Sequence, residues 1–570
     1  MNRNTPFFQR SVSVARKFLQ TAVVIDDRAF LKSGENPESR VTQLTAPPTP
    51  STITPERVTP AHISTSPSSE HTEEAPRDPD RHGIDAQTII DSFAKHGIVC
   101  SVLQRKQGED LTSEEDPAHQ LFLIADIVVV DWQVNHPDGT NSTDETVRFL
   151  KSAVAKGLSD TPQQRRLIVV YTGTDDLLEV SGKIEECLRG SAGNQGNHWT
   201  KIDDFTFQIN AIRIVILGKP SNKRALNQRD QQVSDDSKLC ERAIEDFADM
   251  SAGLVSNVAL DSLAQVRRST HGLLTRFGPH LDAAFLAHRA LLTPPEEGNQ
   301  HLIPLIVSEL QAIIEDKVSD CSSHLSDECI SQWLDTRPND LPDLANAGRL
   351  NTEDKKRQAV KDICLKGVNG HEGYSIPSEP NWIRQIKSAN LDKLTNVIAG
   401  EVTAEANEKL ELLMSLRPRY TKSLPMLTLG TVLRSELNNS QTYWICLQPS
   451  CDCYIRDSDP LRAFPFLRVA VAASDKFNLI VEDDGVLIRL AWDAKPYLLQ
   501  MFAFQSNSPL KTVVATSENN KPMFSANSHP IKFHWIAELK FPQAQRIAQT
   551  FASQTARVGL TESEWLRRKK

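Results

Sequence analysis

This sequence has neither the regular cysteine spacing of a disulfide-bonded protein nor a long apolar run. Its nine cysteines are odd in number and irregularly spread over 570 residues, which argues against a disulfide framework and favours a reducing compartment. No apolar run approaches the roughly 18–20 residues of a membrane span, and charges interrupt the first twenty residues. We therefore expect no transmembrane helix, no signal peptide and a cytoplasmic location.

An excess of positive charge is also missing. The formal net charge is -9, with 39% hydrophobic and 24% charged residues, as in a soluble, mildly acidic globular protein. This balance gives no support for general nucleic-acid binding, so we expect neither a nucleic-acid nor a membrane partner. The length alone suggests about three or four domains.

Aromatic residues are absent from residues 31–83, which contain nine prolines and many Ser, Thr and Glu residues. Such a segment cannot bury enough apolar area to offset the entropy lost on ordering, so we predict a disordered insertion. The remaining patterns divide the chain into three parts. Strands alternate with helices in residues 1–225, helical spacing dominates residues 226–422, and short strand-like segments fill residues 423–570.

The N-terminal part does contain strongly apolar strands separated by helical segments. The runs "AVVIDD", "ADIVVVDW", "RLIVVYTG" and "AIRIVILGKP" are nearly continuous in apolar residues until they end, and "IVCSVL" (98–103) predicts a second strand between the first two of these runs. Strands of this kind are typical of a parallel sheet that helices cover on both faces. We predict a doubly wound α/β fold, in which ligands bind at the carboxyl ends of the strands.

Polar side chains stand where these strands end. Asp26 and Asp27 follow the first strand, Asp131 the third, Thr172 the fourth and Lys219 the fifth. Carboxylates this close are unfavourable without a cation, and their oxygens suit octahedral Mg²⁺, so Asp26, Asp27 and Asp131 are candidate metal ligands. Thr172 and Lys219 could hold the oxygens of a phosphoryl group transferred to Asp131, because phosphoryl transfer depends on positioning and charge neutralisation.

In the motifs "VVIDD", "DIVVVD", "VVYTG" and "VILGKP" the sequence resembles the receiver domain of two-component response regulators, over roughly residues 10–225. That family carries an acidic pair, a phosphoacceptor aspartate, a Ser or Thr, and a Lys-Pro pair after the corresponding strands. The resemblance implies a sheet of order 2-1-3-4-5, Mg²⁺ dependence, and phosphorylation of Asp131 by a histidine kinase or related ATPase. It implies no enzymatic activity beyond self-phosphorylation and autodephosphorylation.

Several features depart from a minimal receiver. The insertion is long, the gaps between the motifs are extended, and residues 190–210 contain an extra strand-like piece. These features look like those of the divergent receivers found in bacterial conflict and phage-defence gene clusters. Because no DNA-binding or enzymatic output motif is visible, we expect output through protein interaction.

Alternatives remain open. The receiver-like domain could be an unphosphorylated scaffold for protein interaction, with its polar residues serving as helix caps and strand exits. A haloacid-dehalogenase-like phosphatase would need an Asp-x-Asp motif for its acid/base group. The sequence offers "DWQ" from Asp131 and "DDR" from Asp26, and neither fits that motif.

The other two parts give weaker signals. The middle part predicts a helical interaction module, and the last part predicts a small antiparallel barrel or sandwich with terminal helices. Cys446, Cys451 and Cys453 in "CLQPSCDC" invite a zinc site, but Cys-x-Cys is a poor chelating pair and no fourth ligand is nearby. We expect these cysteines to pack in the domain instead.

Overall fold

The chain divides into two compact units. The computed structural model describes residues 2–29, 83–104, 116–135, 141–142, 144–159, 164–191, 199–292, 295, 298–316, 323–337, 353–367, 391–400, 403, 406–421, 423–437, 440–455, 460–473, 476–509, 511–527, 531–555 and 568. One unit is Leu19–Met250, and the other joins Met1–Phe18, which includes helix α1 (Pro6–Phe18), to Ser251–Lys570. Apart from Gly83, the predicted insertion lies outside the described residues. The three-part division at residues 225 and 422 stays a prediction.

The unit Leu19–Met250 is built from alternating strands and helices. Its elements are β1 (Thr21–Asp26), α2 (Ala86–Lys95), β2 (Val99–Gln104), α3 (Pro117–Ile124), β3 (Ile127–Asp131), β4 (Val134–Asn135), β5 (Asn141–Ser142), α4 (Asp144–Ser159), β6 (Arg166–Thr172), α5 (Leu177–Ser191), β7 (Trp199–Asp203), β8 (Thr206–Ile209), β9 (Ile212–Gly218) and α6 (Leu239–Ser251). Two 3-10 turns, Leu226–Gln231 and Asp236–Lys238, lie between β9 and α6.

These strands form one mixed seven-stranded sheet in the order β2-β1-β3-β6-β9-β8-β7. The first five are parallel, and β8 and β7 add an antiparallel hairpin to the edge at β9. The sheet is therefore larger than the five strands expected from the sequence, because the stretch after α5 supplies two strands. Strands β4 and β5 pair with each other in a separate two-stranded sheet.

Local sequence explains where the helices begin and end. The side chain of Asp85 accepts a hydrogen bond from the backbone N–H of Thr88 and so caps α2, and Asp116 caps α3 in the same way. Gly97, just after α2, has a φ of 75°, a conformation that a residue with a Cβ rarely adopts. These residues therefore determine where α2 begins and ends and where α3 begins.

The core of this unit comes from the apolar strands. Every residue of β3, β6 and β9 is buried, as their continuous apolar runs predicted. Burial of each Val, Leu or Ile side chain contributes about 1.5–3 kcal/mol, so these strands form a firm platform for the residues at their ends. The register pairs Asp131 with Tyr171, and Thr172 with Gly218. The ends of the three central strands are therefore level.

The helical part of the other unit begins with α1 and resumes after residue 250. Its longer helices are α7 (Leu254–Leu274), α8 (Asp282–Ala290), α9 (Gly298–Glu315), α10 (Asp327–Asp335), α11 (Glu353–Lys366), α12 (Leu391–Ala399) and α13 (Ala406–Ser415). Helix α1 packs on α7, where Asn257 donates a hydrogen bond of 3.1 Å to Ser11 Oγ. The buried carboxylate of Asp261 pairs with Lys17 and His324 at 3.2 and 3.0 Å. The helical middle region predicted from the sequence is therefore present in the described residues.

The C-terminal part of the same unit is a separate antiparallel sheet of nine strands. They are β10 (Thr431–Leu437), β11 (Ser440–Cys446), β12 (Leu461–Val471), β13 (Leu479–Asp483), β14 (Val486–Ala491), β15 (Leu499–Gln505), β16 (Thr516–Glu518), β17 (Lys521–Ser525) and β18 (Lys532–Glu538), followed by α14 (Phe541–Thr555). Their order is β13-β14-β12-β11-β10-β18-β17-β16, with β15 beside β12. Neighbouring residues of β10 and β11 join two different apolar clusters, one of which includes residues of α14. Both faces of these strands therefore pack against apolar side chains.

The three cysteines of "CLQPSCDC" occupy different environments. Cys446 and Cys453 are buried in one apolar cluster of this sheet, whereas Cys451 is exposed. Burial raises the pKa of the Cys453 thiol to about 11. The two buried thiols are thus packed among apolar side chains, and the absence of zinc stays a prediction.

Candidate functional site

The structure brings all five candidate site residues to one edge of the mixed sheet. Asp26 ends β1, Asp131 ends β3 and Thr172 ends β6, while Asp27 and Lys219 directly follow β1 and β9. The side chains are buried, although four of the five are charged when ionised. This arrangement follows from parallel strands with level ends, whose carboxyl termini all meet at the same edge.

Lys219 pairs with two carboxylates at once. Its Nζ lies 2.8 Å from Asp26 Oδ2 and 3.1 Å from Asp131 Oδ1. Burial alone would lower the pKa of the ammonium group, but the charges of Asp131 and Asp26 outweigh burial and raise the pKa. Lys219 therefore stays a cation and neutralises part of the acidic cluster.

The carboxylate of Asp27 is much less well satisfied. Both of its oxygens are buried, and neither accepts a hydrogen bond from the residues that the structure describes. The Nε atom of Arg28 lies 3.8 Å from Oδ2. Burial, and then the charge of Asp26, raise the pKa of Asp27. A buried carboxylate with free lone pairs needs either a proton or a cation.

A divalent cation fits this group of residues. Asp26, Asp27 and Asp131 each offer a carboxylate oxygen, and these oxygens lie within 4.8 Å of one another. If all three are ionised, their charge of three is opposed by the ammonium of Lys219 and by the more distant guanidinium of Arg28. The donor set is oxygen only and the charge that remains is negative, which suits Mg²⁺.

Asp131 is the residue whose chemistry depends most on this balance. Burial raises its pKa to about 7, an effect that Lys219 opposes and that Asp26 adds to. Burial therefore disfavours the ionised form of Asp131, and the ion pair with Lys219 at 3.1 Å opposes this effect. A metal ion beside it would favour the carboxylate, which is the form that can act as a nucleophile.

The hydroxyl of Thr172 is engaged locally. It donates a hydrogen bond to Thr174 Oγ1 at 3.0 Å and accepts one from the Thr174 backbone N–H at 3.1 Å. The backbone N–H of Lys219 donates to the carbonyl of Thr172 at 2.7 Å. The loops after β6 and β9 are thus tied together next to the carboxylates, and the contact of Thr172 with a phosphoryl group stays a prediction.

Two side chains around the site were not identified from the sequence. Tyr171 is buried and donates from its hydroxyl to Asp236 Oδ1 at 3.0 Å, while its ring centroid lies 5.7 Å from Lys219 Nζ. Arg224 is also buried and donates to the backbone carbonyls of Lys219 and Thr174. These contacts link strand ends to a segment distant in sequence, and no short motif announces them.

Comparison with known proteins agrees with this geometry. Residues 18–224 match the family model of the response receiver domain, and this part of the chain is a divergent response receiver domain. Receiver domains act in phosphorelay signalling with phosphodonor kinases and typically bind Mg²⁺, and the buried acidic cluster has suitable ligands. No curated protein and no solved structure matched the chain. Among the helices in the described residues, none combines the length and apolar character needed to cross a membrane.

Proposed function

We propose that this protein is a phosphorelay signalling protein that accepts a phosphoryl group on Asp131 from a histidine kinase or a related ATPase. The observation that supports the proposal is the cluster of Asp26, Asp27 and Asp131 around the ammonium of Lys219. Such a cluster combines a nucleophilic carboxylate, ligands for Mg²⁺ and a fixed cation, which are the requirements of phosphoryl transfer to a carboxylate.

Each residue has a defined task in this reaction. A carboxylate oxygen of Asp131 attacks the phosphorus of the donor, a phosphorus–oxygen bond forms, and the bond to the donor breaks with its electron pair leaving on the donor. Asp26, Asp27 and Asp131 would hold Mg²⁺, which supplies charge neutralisation at a phosphoryl oxygen. Lys219 is already 3.1 Å from Asp131, so it is placed to pair with the phosphoryl group. Thr172 would give up its contact with Thr174 to donate to a phosphoryl oxygen.

Hydrolysis ends the phosphorylated state. Attack of a water molecule on the phosphorus releases inorganic phosphate and restores the carboxylate of Asp131, so the protein needs no enzymatic activity beyond self-phosphorylation and autodephosphorylation.

We further propose that helices cover both faces of the mixed sheet as in other receivers. Output would pass to a partner protein, with a role in bacterial phage defence. The long gaps between the receiver motifs support that last part, because they resemble those of receivers in such gene clusters.

Beryllofluoride, which mimics a phosphoryl group on aspartate, tests the proposal. With Mg²⁺ present it should raise the melting temperature of the wild-type protein, because a ligand that binds only the folded state stabilises it. Mg²⁺ with fluoride alone is the control. If beryllofluoride leaves the melting temperature unchanged and no phosphodonor labels the protein, the proposed function is wrong.

A second candidate function is an unphosphorylated protein-interaction scaffold. Its support is the burial of the acceptor, since Asp131 is only 7% exposed and is followed by the buried Trp132. Burial of this degree restricts the access of a phosphodonor to Asp131. Failure of beryllofluoride binding together with retained Mg²⁺ binding would favour this second candidate.

A further inference from the structure

We propose that Arg224 is a positioning residue for the acceptor site, which fixes the loop of Lys219 against the loop of Thr172. This inference rests on the proposed function, because it assigns to Arg224 a part in holding the phosphorylated form. Arg224 does not contact the three carboxylates in the contacts that the structure gives for it. It acts through the backbone of the two loops that carry Thr172 and Lys219.

The guanidinium of Arg224 bridges these two loops directly. Its Nη1 donates to the carbonyl of Lys219 at 2.7 Å and to Gln232 Oε1 at 2.9 Å, and its Nη2 donates to the carbonyl of Thr174 at 3.0 Å. The planar fork of arginine suits such a bridge, since its donors point in fixed directions. Besides the backbone hydrogen bond between Lys219 and Thr172, this side chain is therefore a second link between the two loops.

The charge of Arg224 is unusual for a side chain only 1% exposed. Its side-chain hydrogen bonds go to two carbonyl oxygens and one amide oxygen, all of them neutral, and Nε has no partner among the described residues. Burial lowers the pKa of this guanidinium, against the opposing charge of Asp175. Keeping a buried cation without a bonded carboxylate is unfavourable. The hydrogen bonds that Arg224 donates to the two loops are therefore formed at a cost in stability.

Gly218 makes room for the guanidinium. A methyl group at position 218 would overlap the Cζ and Nη1 atoms of Arg224. The glycine before Lys219 therefore leaves the space that the guanidinium of Arg224, six residues further along the chain, occupies. Substitution at Gly218 should displace Arg224 while leaving its charge intact, which gives a second and independent way to break the bridge.

Further hydrogen bonds tie the same two segments together. The backbone N–H of Leu177 donates to Gln228 Oε1 at 2.8 Å, and Gln228 Nε2 donates to Asp176 at 3.2 Å. Ser221 Oγ donates to Asp175 at 2.6 Å. Any movement of the Thr172 loop must therefore move, or break away from, the segment that holds Arg224. The bridge is part of this contact, and both loops are bonded to the same guanidinium.

The geometry separates two properties that can be measured. Mg²⁺ binding depends on the three carboxylates, so loss of the Arg224 bridge should leave the Mg²⁺ dissociation constant within about twofold of wild type. Holding the phosphoryl group depends on Lys219 and Thr172 being correctly placed, and misplacement on the order of 1 Å lowers such reactions about 100-fold. We expect beryllofluoride binding, and the half-life of the phosphorylated form, to change by about tenfold or more in Arg224→Gln.

The experiment compares Arg224→Gln, Arg224→Lys and Gly218→Ala with wild type and a matched control. The control is Arg213→Lys, since Arg213 is another buried arginine of the same unit but pairs with Asp249 at 2.8 Å and with Gln208. Isothermal titration gives the Mg²⁺ dissociation constant of each protein, and thermal unfolding gives the beryllofluoride concentration required for half of the full shift. Arg224→Lys, which keeps the charge without the fork, should fall between wild type and Arg224→Gln.

The outcomes are distinct. Wild type that neither responds to beryllofluoride nor is labelled by a phosphodonor contradicts the proposed function itself. Wild type that responds, together with folded Arg224 and Gly218 variants that bind Mg²⁺ and beryllofluoride as wild type does, overturns only the role of Arg224. Equal losses of Mg²⁺ and beryllofluoride binding would show a general structural role and also overturn it. If Arg224→Gln does not fold, Arg224→Lys and Gly218→Ala decide by the same criterion.

Discussion

The Nζ atom of Lys219 lies 3.1 Å from the carboxylate of Asp131, so the acceptor is ion-paired before any phosphoryl group arrives. The same ammonium is 2.8 Å from Asp26. One cation thus serves the nucleophile and a candidate metal ligand, while Asp27 depends on a more distant arginine. This uneven sharing of charge is the source of the following predictions.

Asp131→Asn should abolish labelling. Acetyl phosphate with Mg²⁺ should label the wild-type protein, and the label should be lost in alkali because acyl phosphates hydrolyse in base. The amide that replaces the carboxylate is not a nucleophile, so the variant should remain unlabelled when followed by intact-mass spectrometry. Asp91→Asn, on the exposed side of α2, is the matched control and should be labelled normally. Labelling that persists in Asp131→Asn would place the acceptor elsewhere.

Metal-free stability should depend on pH through Asp131. Burial raises its pKa from 3.8 to about 7 in the folded state, so between these values the folded chain binds more protons than the unfolded chain. The free energy of unfolding therefore falls as pH rises through this window, and Asp131→Asn removes that contribution. In EDTA, the melting temperature of the variant minus that of wild type should be larger at pH 8 than at pH 5. A difference that does not change with pH would contradict the assignment.

Asp27→Asn should have opposite effects with and without metal. In EDTA at pH 8 it should stabilise the fold by on the order of 1 kcal/mol, since it removes a buried charge that accepts no hydrogen bond from the described residues. With Mg²⁺ the wild type should gain stability and the variant should gain much less, because a ligand is missing. Urea unfolding with EDTA and with Mg²⁺ measures both differences. Equal stabilisation of both proteins by Mg²⁺ would exclude Asp27 as a ligand.

The cysteines of the C-terminal sheet should differ in reactivity. Brief treatment of the folded protein with iodoacetamide should modify the exposed Cys451 well before Cys446 or Cys453, which are buried in an apolar cluster. Peptide mass spectrometry gives the extent of modification at each cysteine, with the urea-unfolded protein as the control.

Elemental analysis should find far less than one zinc per chain. Stoichiometric zinc that is lost in Cys451→Ser would show a metal site instead.

The residues that end the parallel strands could be predicted because one sequence pattern indicates both the strand and the position of the site. A continuous apolar run marks a strand buried on both faces, and the first polar residue after it lies at the sheet edge. Asp131 and Thr172 were located in this way, and the receiver resemblance named over residues 10–225 is confirmed by the family match. Asp27 differs only in being the second polar residue after its strand.

The supporting contacts could not be predicted in the same way. Arg224 donates hydrogen bonds to backbone carbonyls, which every residue possesses. The contact therefore leaves no characteristic residue type or spacing in the sequence from which it could be predicted. Tyr171 looks like one more apolar residue of β6, and its hydroxyl finds Asp236 only after the chain has folded. The hairpin β7–β8 was seen only as a strand-like piece, since strand partners depend on the neighbouring edge and not on local pattern.

The grouping of α1 with the unit that resumes at Ser251 has a consequence for dissecting this molecule. The receiver unit Leu19–Met250 is a domain inserted into the sequence of the other unit. The chain passes between the two units after Phe18 and again after Met250. A fragment that starts at Ser251 would lack a helix of its own unit and would leave uncovered the surface of α7 where Asn257 contacts Ser11. Joining Phe18 to Ser251 through a short linker would keep all residues of that unit in one chain. Residues 19–250 could be produced separately as the receiver unit.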